Sequence, residues 1–175
     1  MISKKICMLG AFSVGKTSLV GQYVHSIFND RYLSTIGVKI SKKELSCALS
    51  PPVTLVIWDL EGKDIYTNIN ASHLRGASGF FVIADGTRSE TLGEALTIRD
   101  LALNIIGESA PNYLLINKSD ICDKWEIADR QIEEISLDGV KVIKTSAKTG
   151  DSVNAAFELL SRDMLLAANI SEGTS

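Results

Sequence analysis

The chain has 175 residues, a length typical of one domain that buries about two-thirds of its unfolded surface without disulfides. Its net charge of −3 argues against a dedicated nucleic-acid-binding protein. The three Cys residues have no paired spacing, which argues against a zinc site or a disulfide framework and favours a reducing cytoplasm. No segment is apolar enough to span a membrane and neither end carries a lipidation signal, so we expect a cytoplasmic monomer with no membrane anchor in the chain as given.

The first predicted strand, residues 2–9, leads into a glycine-rich loop and then into a predicted helix. The loop reads GAFSVGKT and matches the phosphate-loop pattern, in which two glycines separated by four residues precede Lys and Ser or Thr. In such a loop Gly15 lets backbone N–H groups approach phosphate oxygens, while Lys16 bridges the β- and γ-phosphates and Thr17 presents a hydroxyl to Mg²⁺. The alternative is a glycine-containing turn with an incidental lysine.

Strands and helices alternate along the rest of the chain, and breaks in periodicity predict loops over residues 27–36 and 60–76. Residues 53–58 form a nearly continuous apolar run, which is typical of a central strand buried on both faces. The alternation predicts a doubly wound α/β sheet in one domain over residues 1–170, followed by a short tail at 171–175. The predicted strands span 2–9, 37–49, 53–58, 79–84, 113–116 and 140–143, and the predicted helices span 16–26, 68–74, 90–106, 127–135 and 152–168.

Three further polar motifs come directly after predicted strands, where open α/β sheets bind ligands. They read DLEG at 59–62, NKSD at 117–120 and SAK at 146–148. The Asp120 carboxylate could accept two hydrogen bonds from guanine, a contact worth about 1–3 kcal/mol against a wrong base. Adenine would leave that carboxylate partly unpaired. Taken together, the motifs favour a guanine nucleotide.

With these motifs the chain resembles the Ras superfamily of small GTPases over residues 3–169, and it is most similar to the Rab branch. The Rab-like residues are Thr35-Ile36-Gly37-Val38 and Trp58-Asp59. The resemblance implies a P-loop NTPase fold of the Ras-like G-domain type: a six-stranded, mostly parallel sheet with one antiparallel edge strand and helices on both faces. It also implies a switch that binds GTP or GDP with Mg²⁺, hydrolyses GTP to GDP and phosphate, and presents residues 27–40 and 60–76 to effector and regulator proteins.

The resemblance also implies roles for single residues. Mg²⁺ would be held by Thr17 and Thr35, and by Asp59 through water, while Phe28 would pack edge-on to the base and Lys118 would cover its ring. The residues implied in catalysis are Lys16, Thr35, Gly62 and Lys63. The implied nucleotide contacts are Ser13, Val14, Gly15, Lys16, Thr17, Ser18, Phe28, Asp30, Thr35, Gly62, Asn117, Lys118, Asp120, Ser146, Ala147 and Lys148.

Three residues depart from the family pattern close to the expected γ-phosphate. Lys63 stands where the family usually has the Gln that orients the attacking water, and a cation has no acceptor for the proton of that water. Glu61 places a carboxylate near the phosphates, or pairs with Lys63. Phe12 stands where a small residue would let a partner's arginine approach. We therefore expect slow hydrolysis of GTP, or reliance on an unusual activating partner.

The sequence leaves other functions open. The chain could be a non-cycling pseudo-GTPase module that holds nucleotide as a structural ligand. The three departures favour this function, and the intact Lys16, Thr17, Thr35 and Asp59 oppose it. Lys63 could instead neutralise γ-phosphate charge itself. Another P-loop enzyme, such as a small-molecule kinase, would need a lid-like arginine cluster that the sequence lacks, and it would have no use for Asn117 and Asp120.

Overall fold

The computed structural model describes residues 2–29, 34–45, 52–62 and 71–172. The strands in these ranges are β1 (Ile2–Gly10), β2 (Val38–Glu44), β3 (Val53–Leu60), β4 (Gly79–Asp85), β5 (Asn112–Asn117) and β6 (Val142–Lys144). The helices are α1 (Lys16–His25), α2 (Ala71–Leu74), α3 (Glu90–Ile106), α4 (Asp129–Leu137) and α5 (Val153–Glu172), with a short 3₁₀ turn at Cys122–Lys124.

The strands form one six-stranded sheet in the order β2-β3-β1-β4-β5-β6. The edge strand β2 runs antiparallel to β3, and all other neighbours are parallel. The predicted mostly parallel sheet with one antiparallel edge strand is therefore confirmed. Because parallel strands end at the same rim, Gly10, Asp59, Asp85 and Asn117 come together at the carboxyl edge of β1, β3, β4 and β5.

Alternate residues of β1 face two hydrophobic clusters on opposite sides of the sheet. Ile6 and Met8 pack with residues of α1 and α5, whereas Cys7 and Leu9 pack with residues of α3. Helices thus cover both faces, as predicted. Burial raises the pKa of the Cys7 thiol to about 11, so this cysteine is an unreactive part of the core.

The second strand is shorter than predicted. It ends at Glu44 rather than at residue 49, Leu45 lies outside it, and residues 46–50 fall outside the described part of the chain. Its partner β3 begins only at Val53, because Pro52 has no N–H with which to extend the ladder. The Leu45 N–H still donates to the Val53 carbonyl oxygen at 2.9 Å, next to the end of the strand.

The prediction was also wrong by two residues at the start of α4 and at the start of β6. Ile127, taken as the first helical residue, is buried before the helix, and its carbonyl accepts a hydrogen bond from the Trp125 indole N–H at 2.7 Å. Val140, taken as the first strand residue, donates its N–H to Ile135 at 3.3 Å and belongs to the turn after α4. In both cases the apolar residue that suggested a regular element belongs to a loop, and its side chain is buried in the hydrophobic core.

Two helices differ in length from their predicted spans. α5 continues to Glu172, past the predicted end at residue 168. α2 covers residues 71–74 of the predicted span 68–74, and the other three residues, 68–70, lie outside the described part of the chain. In the part of the chain that the structure describes, we find no helix with the length and apolar character needed to cross a membrane.

Candidate nucleotide-binding site

The phosphate loop, residues 10–17, contains two positions that suit only glycine. Gly10 has φ +144°, and a Cβ there would lie 2.4 Å from the carbonyl oxygen of Ile83 in β4. Gly15 has φ +99°, and a Cβ there would lie 2.2 Å from Nδ2 of Asn117 in β5. Because any side chain would collide at both points, the two glycines let the loop pack directly on the ends of neighbouring strands.

The Lys16 side chain folds over this loop. It is 7% exposed, and its Nζ donates to the carbonyl oxygens of Gly10 and Ala11 at 2.8 and 2.7 Å. Burial lowers the pKa of Lys16 to about 8, although the charge of Asp59 opposes that effect. A Cβ on Gly62 would lie 2.8 Å from Nζ, so the segment after β3 reaches the same point. A buried ammonium held by neutral carbonyl oxygens would gain from an anionic partner.

Two hydroxyls and one carboxylate meet beside this lysine. Thr17 Oγ1 lies 2.6 Å from Thr35 Oγ1 and donates to Asp59 Oδ2 at 2.5 Å. Asp59 is 1% exposed, and its Oδ1 is buried without a hydrogen-bond partner among the described residues. Burial raises the pKa of Asp59, and the hydrogen bond from Thr17 opposes this. An all-oxygen set with an unsatisfied carboxylate oxygen fits a small, hard cation such as Mg²⁺.

Asn117 joins the phosphate loop to the loop after β6. Its buried side chain donates from Nδ2 to the Val14 carbonyl oxygen at 3.0 Å, and its Oδ1 accepts from the Ala147 N–H at 3.1 Å. The Thr145 hydroxyl also reaches Oδ1, at 3.4 Å. Asn117 therefore fixes the relative position of two loops that were predicted separately.

The Asp120 carboxylate is held in place by the loop after β6. Ser146 Oγ donates to Asp120 Oδ1 at 2.6 Å and itself accepts from the Thr149 N–H at 3.1 Å. The Asp120 side chain is exposed, so donors on a ligand can reach it. A fixed, accessible carboxylate beside the Ala147 N–H could read a base edge that presents both donors and an acceptor.

The structure describes some of the other predicted contacts. Phe28 is half-buried against the hydrophobic cluster of α1 and α5, which anchors its ring at the edge of the core. Ser13 lies in the phosphate loop with φ +63°, Ser18 lies in the first turn of α1, Lys148 is exposed, and Asp30 and Lys63 lie outside the described residues.

Glu61 connects the segment after β3 to the segment before β2. Its N–H donates to the Gly37 carbonyl oxygen at 3.0 Å, and its Oε2 accepts from the Gly37 N–H at 2.9 Å. The two expected switch segments, 27–40 and 60–76, therefore meet at these residues. The carboxylate has a backbone partner here, and its predicted pairing with Lys63 falls outside the described residues.

Sequence reasoning missed Asp85, the last residue of β4. Its carboxylate is fully buried, and Oδ2 accepts from Lys118 Nζ at 2.6 Å. A signal was available in the sequence, since Asp85 follows the predicted strand 79–84 as directly as Asp59 follows 53–58 and Asn117 follows 113–116. Lys118 is thus held by a residue from a neighbouring strand.

Comparison with known proteins places these motifs in one family. The Ras family model matches residues 5–166, a span that includes the phosphate loop and all three polar motifs. The chain belongs to the Ras family. The Ras-related protein Rab-8B of Homo sapiens is 31% identical over 171 residues, which cover 94% of this chain and 80% of that protein. Rab-8A of Bos taurus is 32% identical over 166 residues (91% and 77% covered), and Rab-7L1 of Rattus norvegicus is 32% identical over 167 residues (92% and 81%).

These relatives are all Rab proteins, so the predicted resemblance to the Rab branch of the Ras superfamily is confirmed. The sheet order, the helices on both faces and the loops at the carboxyl rim make the chain a Ras-like G domain. As a Rab-like member of the Ras family it is a small GTPase, a GTP-binding switch that works with effector and regulator proteins.

Proposed function

We propose that this Rab-like GTPase holds GTP or GDP together with Mg²⁺ and hydrolyses GTP to GDP and phosphate slowly. The observation that carries the proposal is the buried Oδ1 of Asp59, which has no hydrogen-bond partner within the described ranges and lies beside the paired hydroxyls of Thr17 and Thr35. A buried carboxylate oxygen without a donor is costly, and a divalent cation would remove that cost.

In this proposal the phosphates lie over residues 10–17. Backbone N–H groups of the loop and the N-terminus of α1 would bind phosphate oxygens, and the Lys16 ammonium would exchange its carbonyl partners for the β- and γ-phosphates. When bound, Mg²⁺ supplies positive charge to the same oxygens. Thr17, Thr35 and Asp59 are the residues that would hold it, and Gly62 would donate its N–H to the γ-phosphate.

The base would lie between Phe28 and Lys118, with Asp120 accepting from the guanine N1–H and exocyclic amine. The Ala147 N–H would then donate to the guanine carbonyl oxygen, in a position that Asn117 fixes. Support for this arrangement comes from the Ser146 hydrogen bond, which orients the Asp120 carboxylate before any ligand arrives.

Slow hydrolysis follows from Lys63 and Phe12. A lysine cannot accept the proton of the attacking water, so the water would lose its positioning. Phe12 is 39% exposed, and its Cα would lie 2.8 Å from a Cβ on Gly62, so it stands at the point where the segment after β3 meets the phosphate loop. An aromatic side chain there would obstruct an arginine supplied by a partner.

Replacing Lys63 with Gln should raise the intrinsic rate of GTP hydrolysis by about tenfold or more, because an amide can both donate to and accept from the water. The measurement is single-turnover release of phosphate from the GTP-loaded, Mg²⁺-supplied protein. Lys124→Gln makes the same charge change at an exposed site in the 3₁₀ turn Cys122–Lys124, outside the phosphate loop and the segment 60–76, and should leave the rate unchanged. An unchanged rate in Lys63→Gln, with a wild-type rate equal to that of Rab-8B, would contradict the proposal.

A second candidate is a module that holds nucleotide permanently and does not cycle. The two hydrogen bonds between Glu61 and Gly37 favour it, because the protein itself joins the switch segments that a γ-phosphate would otherwise order. Nucleotide extracted from the purified protein distinguishes the two functions. A slow GTPase should contain GDP and should release phosphate over hours after loading with GTP, whereas a non-cycling module should keep GTP intact.

A further inference from the structure

Asp85 is a buried carboxylate on which two cationic side chains converge. Its Oδ1 accepts from the Thr87 N–H at 3.0 Å and from the Thr87 hydroxyl at 2.7 Å. Its Oδ2 accepts from Arg88 Nε at 3.0 Å and from Lys118 Nζ at 2.6 Å. Burial alone would raise the pKa of Asp85, but the hydrogen bonds from Lys118, Thr87 and Arg88 outweigh it and lower the pKa, so the carboxylate is ionised at neutral pH.

Arg88 extends this group to the phosphate loop. While Nε binds Asp85, Nη2 donates to the Phe12 carbonyl oxygen at 2.9 Å. Both hydrogen bonds use one planar guanidinium, whose donors have a fixed geometry. The backbone of the phosphate loop at Phe12 is therefore tied to a residue 76 positions later in the chain.

Lys118 extends the same group to the loop that would read the base. It has φ +70°, directly after the buried Asn117, and its Nζ is fixed by Asp85. A continuous chain of contacts thus runs from Lys118 through Asp85 and Arg88 to Phe12, and we call these four residues the rim brace. The rim brace joins the base side and the phosphate side of the candidate site behind the loops themselves.

We infer that Asp85 and Arg88 are positioning residues for the nucleotide: through the rim brace they hold the phosphate loop and the base loop at the separation that a guanosine diphosphate requires. The inference rests on the proposed function. It assigns different tasks to the two residues, since Arg88 reaches only the phosphate side, whereas Asp85 holds both Arg88 and Lys118.

The test is the affinity of the full chain, with Mg²⁺, for GDP and for GMP, measured by displacement of a fluorescent GDP. Arg88→Ala should weaken GDP about tenfold and leave GMP within about twofold, because GMP has no β-phosphate for the displaced loop to lose. Asp85→Asn should weaken both nucleotides, and GDP by the larger factor, because it releases Arg88 on the phosphate side as well as Lys118 on the base side. A residue with a merely structural role would weaken GDP and GMP by the same factor.

Arg99→Ala is the matched control, since Arg99, like Arg88, donates its Nε to a side-chain oxygen, in this case that of Asn112 at 2.8 Å. Arg99 lies in the C-terminal half of α3, whereas Arg88 precedes that helix, so its substitution should change neither affinity. Arg88→Gln, which keeps a polar side chain, repeats the test if the alanine variant does not fold.

The outcomes separate this inference from the proposed function. If the wild-type chain fails to bind GDP, both fall. The wild type could instead bind GDP while the Arg88 variant binds GDP equally well, or while its affinities for GDP and GMP fall by the same factor. In either case the rim brace has no positioning role, and the proposed function stands.

Discussion

Asp59 shows how one residue can link folding to ligand binding. Its Oδ2 is bonded to Thr17, whereas its Oδ1 is buried without a partner among the described residues. An unsatisfied buried polar atom costs about 1–3 kcal/mol, so the free energy of unfolding of the protein without a cation is lower by part of that amount. Binding of Mg²⁺ would remove it, and we therefore expect the free energy of unfolding to rise with Mg²⁺ and nucleotide.

Gly15 is the residue at which the shape of the phosphate loop can be tested most simply. Gly15→Ala should lower the free energy of unfolding by about 1–3 kcal/mol, because φ is +99° and the new Cβ would lie 2.2 Å from Asn117 Nδ2. Displacement of Asn117 should also weaken GDP binding. Urea unfolding and displacement of fluorescent GDP measure the two effects.

Gly93→Ala is the control for that substitution. Gly93 lies within α3, and apart from its chain neighbours and the backbone of its own helix, no atom of the described residues would come within 4 Å of its added Cβ. Alanine there should raise the free energy of unfolding by about 0.5–1 kcal/mol, since alanine favours a helix more than glycine does. Equal effects of the two substitutions would show that Gly15 is not constrained as described.

At the scale of elements, one carboxylate adds polar contacts to the apolar packing of α5 on the sheet. Asp163 Oδ2 accepts from the Tyr113 hydroxyl of β5 at 2.8 Å and from Lys141, just before β6, at 2.5 Å. Partial burial would raise the pKa of Asp163, but the hydrogen bonds from Lys141 and Tyr113 outweigh it, so the pKa lies below its ordinary value. Burial and the same hydrogen bond raise the pKa of Tyr113 to about 12.

Asp163→Asn should therefore destabilise the protein in a pH-dependent way. Because the folded pKa lies below the unfolded value of about 3.9, the stabilisation is fully present above that pH and is lost as the pH falls through the folded pKa. We expect a loss of about 1–2 kcal/mol in urea unfolding at neutral pH, and a smaller loss near pH 3.

Asp100→Asn provides the comparison, since Asp100 is 72% exposed and pairs with Arg99 at 3.2 Å on the surface. It should change stability little at either pH, because exposed ion pairs contribute little. A loss in Asp163→Asn that is the same at both pH values would mean that ionisation of this carboxylate does not hold α5.

At the scale of the whole molecule, the sequence predicts what depends on local pattern. Alternating apolar strands and helices predicted the sheet and its two covered faces, and polar residues after strand ends predicted the groups around Asn117 and Asp120. The sequence pattern could not predict contacts between segments that are distant along the chain. No periodicity indicates that Arg88 reaches Phe12, or that Ile127 is an anchor before a helix rather than its first residue. Such contacts depend on how loops meet after the sheet has formed.

The central claim is that one rim of this sheet binds a guanine nucleotide with Mg²⁺, and titration calorimetry of the nucleotide-free chain tests it most directly. With Mg²⁺ present, GDP and GTP should bind one to one and ATP should not compete, and EDTA should weaken the binding because Thr17, Thr35 and Asp59 would lose their cation. Binding of ATP in preference to GTP, or no binding of GDP and GTP by the folded, Mg²⁺-supplied chain, would contradict the account.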